Sequence, residues 1–188
     1  MILLLSLWTL YFILHSALAA EPVKHWFQRV SGISRQGYRI AYNLFNLFGL
    51  LGLLWVHIRF ICPPFYESTT VLIVAGAVLS LTGLTIMIQS AREYELSSFL
   101  GLSKETHMPL QIKGLHKYMR HPLYSGTLLF FTGICIAFPF YKNWYLLLLM
   151  IVYLFIGMWL EERKLIAVFG DQYKDYMKRV KRLIPGIV

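Results

Sequence analysis

The chain has 188 residues, 57% of them hydrophobic and only 14% charged, with a mean hydropathy of +0.58; soluble domains carry roughly 25% charged residues. Its formal net charge is +9, but the basic residues lie between apolar spans rather than on a soluble face, which excludes nucleic acid as a partner. Cys62 and Cys135 fit neither a CxxC pair nor a disulfide framework and read as membrane-buried or interfacial thiols.

A first apolar span covers residues 2–20, close to the roughly 20 residues that cross a hydrocarbon core. Ala17-Leu18-Ala19 resembles a leader cleavage site, but no basic stretch precedes Ile2, so a retained span is expected. A short polar loop with Lys24, His25, Arg29 and Arg35 leads to a second span at 38–60, which Cys62-Pro63-Pro64 ends because proline cannot continue a helix. The third span, 69–90, carries Gly76, Ser80 and Gly83 at near four-residue spacing, which lets a neighbouring helix come close.

Residues 91–121 form the longest polar segment, with Arg92, Glu93, Glu95, Lys104, Glu105, His107, Lys113, Lys117 and Arg120. A connection of that length in so small a chain is more often functional than idle. Pro122, a favoured first helical residue, opens the fourth span at 122–138. After a tight turn at 139–143 the fifth span, 144–160, runs without a break signal into Glu161-Glu162-Arg163. The expected fold is all-α: a single polytopic membrane domain of five transmembrane helices and a C-terminal cytoplasmic amphipathic helix. Orientation follows from basic residues staying on the cytoplasmic side. Only Arg59 and Lys142 fall on the other side, which predicts an outside N-terminus and a cytoplasmic C-terminus. No span carries an acidic residue, against a pump with a mid-membrane proton relay.

At about 100° per residue, Glu162, Leu165, Ile166, Phe169, Tyr173, Tyr176 and Val180 share one helix face, with Glu161 well off it. A basic amphipathic helix on anionic lipid, with Lys174, Lys178, Lys181 and Arg182 toward headgroups, accounts for much of this pattern but not for Glu162 on the apolar side. Arg120-His121-Pro122-x-Tyr124 sits where a loop enters the membrane. The arginine can fork onto a carboxylate or phosphate and the histidine can move a proton, while interfacial anchoring of a helix end is the alternative reading. His116 and His121 lack third and fourth ligands at a zinc spacing, so no metal is expected. Asn43, Asn46, His15 and Ser16 read as structural polar residues between helices or at an interface.

The run Gly114-x-x-x-x-x-Arg120-His121-Pro122-x-Tyr124-x-Gly126, with Glu161-Glu162-x-x-Leu165, Phe169-Gly170, Tyr173, Tyr176 and Leu183-Ile184-Pro185, resembles the isoprenylcysteine carboxyl methyltransferase superfamily over residues 108–188. His15-Ser16-x-x-Ala19, Lys24, Trp26, Arg35 and Tyr38 look like the opening of its nurim and methanethiol S-methyltransferase branch. His116, where the superfamily usually has tyrosine, and Val180-Lys181-Arg182, where the methanethiol branch tends to have Val-Pro-Met, depart from the pattern on the substrate side.

The resemblance implies a membrane methyltransferase that uses S-adenosyl-L-methionine and acts on a small or lipophilic thiol or carboxylate, or on an amine. Residues 91–188 would be the cofactor half and 1–90 the substrate side. It implies cofactor contacts from His116, Lys117, Arg120, His121, Pro122, Tyr124, Gly126, Glu162 and Tyr173. Arg120 and His121 would grip the cofactor's carboxylate and sugar region, and Glu162 a hydroxyl or amine. Glu162, Arg163, Tyr176 and Arg182 are the candidate catalytic residues, with His116 a further candidate for the acceptor's proton. Direct displacement at a sulfonium needs alignment and the handling of one proton, but no metal. Two alternatives share the architecture: a nicotinamide-dependent reductase of the sterol C14 type and a non-enzymatic nurim-like membrane protein.

Overall fold

The computed structural model describes residues 1–92, 110 and 112–187; most of the predicted polar segment, including Glu93, Glu95, Lys104, Glu105 and His107, lies outside them. The described chain is helical, with only isolated β-bridges besides. Its described residues divide into two units, one at 1–62 and the other at 63–92, 110 and 112–187.

Among the described residues the first unit has three helices, α1 (Ile2–Ala19), α2 (Glu21–Ser31) and α3 (Arg35–Arg59). Polar groups tie α1 to α3 along their length: Trp8 Nε1 lies 3.2 Å from His57 Nδ1, and His15 Nδ1 lies 2.8 Å from Asn46 Oδ1. The Tyr38 hydroxyl donates to the Leu18 carbonyl at 2.8 Å. His15 and Asn46 thus do the interhelical work the sequence suggests. The predicted polar loop is instead mostly helix α2. Pro22 falls in its first turn beside Glu21, where a carboxylate suits the N-terminus, and Gly32 at φ 68° ends it in the left-handed region. Ser34 then caps α3 by accepting from the Gly37 N–H at 3.0 Å.

The second unit contains α4 (Thr70–Arg92), a 3₁₀ turn (Gly114–Lys117), α5 (Pro122–Ala137), α6 (Tyr141–Phe169) and α7 (Asp171–Arg179). Helices α4 and α5 touch backbone to backbone. Gly126 meets the Gly83 carbonyl and Met87, Gly133 meets Ser80 and Gly76, and Ser80 Oγ donates to the Phe130 carbonyl at 3.0 Å. The small residues of α4 therefore serve the close approach their spacing predicts. Gly83→Val should lower the thermal stability of the detergent-solubilised protein by about 1–3 kcal/mol. A Cβ there would sit 2.6 Å from the Gly126 carbonyl oxygen and 2.9 Å from Phe130 Cα, and backbone has no easy way to yield. Gly52, with open space around it, is the control; equal effects at the two positions would contradict this packing.

Among the described residues four helices, α1, α3, α4 and α6, are long and apolar enough to cross a membrane. Helix α5, expected as the fourth span, has 16 residues, about 24 Å at 1.5 Å per residue. It stops because Pro139 disfavours helical backbone at Phe138. The predicted unbroken tail helix also ends early. Gly170, at φ 55°, separates α6 from α7. The two faces still meet: Tyr173, Tyr176 and Val180 form a buried cluster with Leu165, Ile166, Phe169, Met177, Leu110 and Ile112 packed against it.

Candidate functional site

Three segments of the second unit converge on one carboxylate. Helix α6 presents Glu162 on its buried face, 3% exposed. The loop before α5 brings Arg120 and His121, and the segment after α7 brings Arg182. Glu162 Oε1 accepts from Arg120 Nε at 2.9 Å and pairs with its Nη2 at 2.8 Å, while His121 Nε2 lies 3.3 Å away. Its Oε2 accepts from Arg182 Nε at 3.1 Å and Nη2 at 2.8 Å.

The tail is placed by backbone bonds as well as by charge. The Arg120 N–H donates to the Lys181 carbonyl at 2.8 Å and the His121 N–H to the Arg182 carbonyl at 3.0 Å. Ser125 Oγ donates to the Leu183 carbonyl at 2.8 Å. Arg120 Nη1 donates to the Met177 carbonyl at 3.1 Å and the Val180 carbonyl at 2.5 Å, satisfying acceptors that the end of α7 leaves without helical partners. The Tyr176 hydroxyl donates to the His116 carbonyl at 2.6 Å. One arginine fork therefore couples the Glu162 carboxylate to the end of a helix, an arrangement that its planar geometry suits.

Glu161 differs from its neighbour. Its side chain is 45% exposed against 4% for Glu162. Its Oε2 accepts from the Tyr124 hydroxyl at 3.0 Å and lies 3.6 Å from His121 Nδ1. The His121 and Tyr124 rings stack, 5.4 Å apart and 9° from parallel. His121 thus stands between two carboxylates. Burial works against its charged form, but the hydrogen bonds and charges of Glu161 and Glu162 outweigh that and hold its pKa above the ordinary histidine value. A raised folded-state pKa means the stabilisation is fully present below the unfolded value, about 6.5, and is lost as pH rises through the folded value. Thermal unfolding followed upward from about pH 6 should show a decline that His121→Gln flattens; an unchanged slope in that variant would place the titration elsewhere.

Of the residues expected at the site, the cluster gathers Arg120, His121, Glu162 and Arg182, with Tyr124 stacked beside it. Others are placed differently. Gly126 faces α4, Pro122 is the fully buried first residue of α5, and Tyr173 and Tyr176 belong to the apolar cluster. Lys117 is exposed, His116 is buried, and Arg163 lies over the Trp159 ring at 4.8 Å. Every nitrogen of the Arg120 guanidinium pairs within the protein here, Nε and Nη2 with Glu162 and Nη1 with the Met177 and Val180 carbonyls. Glu161 and Ser125 escaped sequence reasoning. For Glu161 the signal was its adjacency to Glu162; for Ser125, whose partner is a distant carbonyl, there was none.

The polar cluster is thus held at one end of apolar helices, with one saturated and one half-open carboxylate. The phospholipid methyltransferase family profile matches residues 68–172, a range that takes in α4 to the start of α7. The chain belongs to that family, within the isoprenylcysteine carboxyl methyltransferase superfamily and on its methanethiol S-methyltransferase branch. It is 30% identical to methanethiol S-methyltransferase 1 of Bradyrhizobium diazoefficiens, over 96% of this chain and 65% of that protein. It is also 30% identical to methanethiol S-methyltransferase 2 of the same organism, over 97% and 72%. To the methanethiol S-methyltransferase of Crocosphaera subtropica it is 25% identical, over 92% and 70%. The chain thus spans roughly two thirds of the length of these relatives. No solved structure matches it. Family membership and the apolar helices make it an integral membrane protein.

Proposed function

We propose that the chain is an S-adenosyl-L-methionine-dependent methyltransferase acting on a small or lipophilic acceptor, a thiol before a carboxylate. The observation that carries this reading is the pair of adjacent carboxylates in different states: Glu162 saturated by Arg120, His121 and Arg182, and Glu161 half-open beside a stacked aromatic pair. The relatives' names favour the thiol.

The residues present fit such a donor. It carries a carboxylate, an ammonium, ribose hydroxyls and a sulfonium, and the site offers partners of each kind. Arg182, 39% exposed, and Lys117 suit the carboxylate. Glu161 suits an ammonium or a hydroxyl, and the Tyr124 face suits a cation. When bound, S-adenosyl-L-methionine supplies an electrophilic methyl group. The chain's own residues orient: Glu162 holds Arg120 and Arg182 apart from each other and in register, and Arg120 holds the tail. His121, kept toward its charged form, donates rather than accepts. The proton of a neutral thiol must leave as the new bond forms, and Glu161 is the open acceptor nearest the stacked pair.

The reading also takes α5 as a fifth, short span, with the N-terminus outside and the cluster and C-terminus on the cytoplasmic side. The asymmetry of lysine and arginine supports this. The spans within residues 1–90, α1, α3 and most of α4, would serve the acceptor.

Calorimetric titration of the purified protein in detergent tests the cofactor class. Binding of S-adenosylhomocysteine without binding of NADPH is expected. Binding of NADPH alone would make the protein a reductase, and binding of neither a non-enzymatic membrane protein.

A further inference from the structure

The first unit carries an uncovered helix face to which the polar cluster assigns no role. Helix α2 joins two span-length helices, yet none of its residues is buried. At about 100° per residue, Val23, Trp26, Phe27 and Val30 fall in one stripe, opposite Glu21, His25 and Gln28, with Lys24 and Arg29 near its two borders. Phe27 is partly spent on Tyr38, with ring centroids 5.7 Å apart. Trp26 and Val30 remain 57% and 67% exposed.

Position decides what surrounds that stripe. Helix α1 ends at Ala19 and α3 begins at Arg35, and the bond from Tyr38 to the Leu18 carbonyl holds these ends together. Both helices are long enough to cross the hydrocarbon, so α2 lies where the hydrocarbon stops. Charge decides which lipid suits it. Glu21 is shared by Lys24 at 2.8 Å, His25 at 3.7 Å and Arg35 at 3.8 Å, and as the one acidic residue of α2 against Lys24 and Arg29 it leaves that helix net positive. Arg29 and Arg35 are both exposed.

We propose that α2 is an in-plane interfacial helix docked on anionic phospholipid, with the Trp26–Val30 stripe at the acyl boundary and Arg29 and Arg35 on headgroup phosphates. Tryptophan suits that depth because its ring is apolar and its N–H polar. Basic residues at a membrane surface each add to the attraction for anionic lipid, and a helix of this pattern lies flat rather than spanning.

The test uses the full chain in nanodiscs of phosphatidylcholine and phosphatidylglycerol. The Trp26 emission, obtained as the difference between wild type and Trp26→Phe, should be quenched most by lipids brominated near the headgroup end of the chain, less by lipids brominated at the chain end, and little by aqueous acrylamide. Preference for spin-labelled phosphatidylglycerol over phosphatidylcholine should fall roughly fivefold in each of Arg29→Gln and Arg35→Gln. Quenching by acrylamide and by no brominated lipid would overturn the placement. Quenching by neither would mean that a second copy or another protein covers the stripe, and would overturn it too. Shallow-lipid quenching with an unchanged lipid preference in both arginine variants would overturn the anionic specificity.

Discussion

Glu162→Gln is expected to cost roughly a hundredfold in affinity for S-adenosylhomocysteine and about 10 °C in thermal midpoint, whereas Glu161→Gln should cost roughly tenfold in affinity and leave the midpoint nearly unchanged. Glu162 is the counter-charge to two guanidinium groups and the neighbour of His121, and its side chain is 4% exposed. A neutral amide would leave those cations facing one another. Breaking a buried pair from one side costs about 3–5 kcal/mol because the remaining charge has no compensation, against a total stability of about 5–15 kcal/mol. The same substitution releases Arg120 and Arg182, so the loop before α5 and the tail lose their common reference. Glu161 holds only Tyr124 and His121 and is half-open, so its charge is screened and its loss acts on a ligand rather than on the fold. Titration and thermal unfolding of both variants check this. Equal losses of affinity would contradict the distinction between the two carboxylates.

Arg120→Lys is the second large expected effect, although it preserves charge. The arginine reaches Glu162 with Nε and Nη2 and the Met177 and Val180 carbonyls with Nη1. A lysine ammonium is a point charge on a flexible stem and cannot serve both directions at once. Pairing with Glu162 is the stronger claim on it, which leaves the end of α7 with unsatisfied carbonyls at about 1–3 kcal/mol. The chain beyond Val180 should then detach. Limited trypsin digestion followed by mass spectrometry should show faster cleavage at Lys181 and Arg182 than in wild type, with bound ligand restoring little of the protection. Unchanged protection would mean that the backbone bonds from Arg120 and His121 to the tail, with Ser125, hold it unaided.

How much of this was legible depended on whether a residue's role showed in its neighbours along the chain. Glu162 could be placed because it shares a helical period with Leu165, Ile166 and Phe169, and a carboxylate on an apolar face needs partners. Arg120 and His121 could be placed because they stand where a polar segment meets Pro122. The partners themselves were less visible. Arg182 reaches Glu162 only because residues 119–121 lie alongside 181–182, and bonds to backbone carbonyls leave no mark on the side chains involved. The continuous tail helix failed at Gly170, whose positive φ a periodicity argument does not register. Helix α2 reads as a loop in the sequence because its charge density masks a regular apolar stripe. Helix α5 ends at Ala137, one residue short of the predicted limit, because Pro139 disfavours helical backbone at Phe138. Gly126, carried into the site by its motif, faces Gly83 and Met87, a close approach that leaves no room for a Cβ.

The most direct test of the proposed activity is headspace gas chromatography of the purified protein in liposomes, supplied with S-adenosyl-L-methionine and methanethiol. The expected result is accumulation of the methylated thioether by wild type, with most of it lost in Glu162→Gln. No thioether from a wild-type preparation that binds S-adenosylhomocysteine would contradict a thiol methyltransferase.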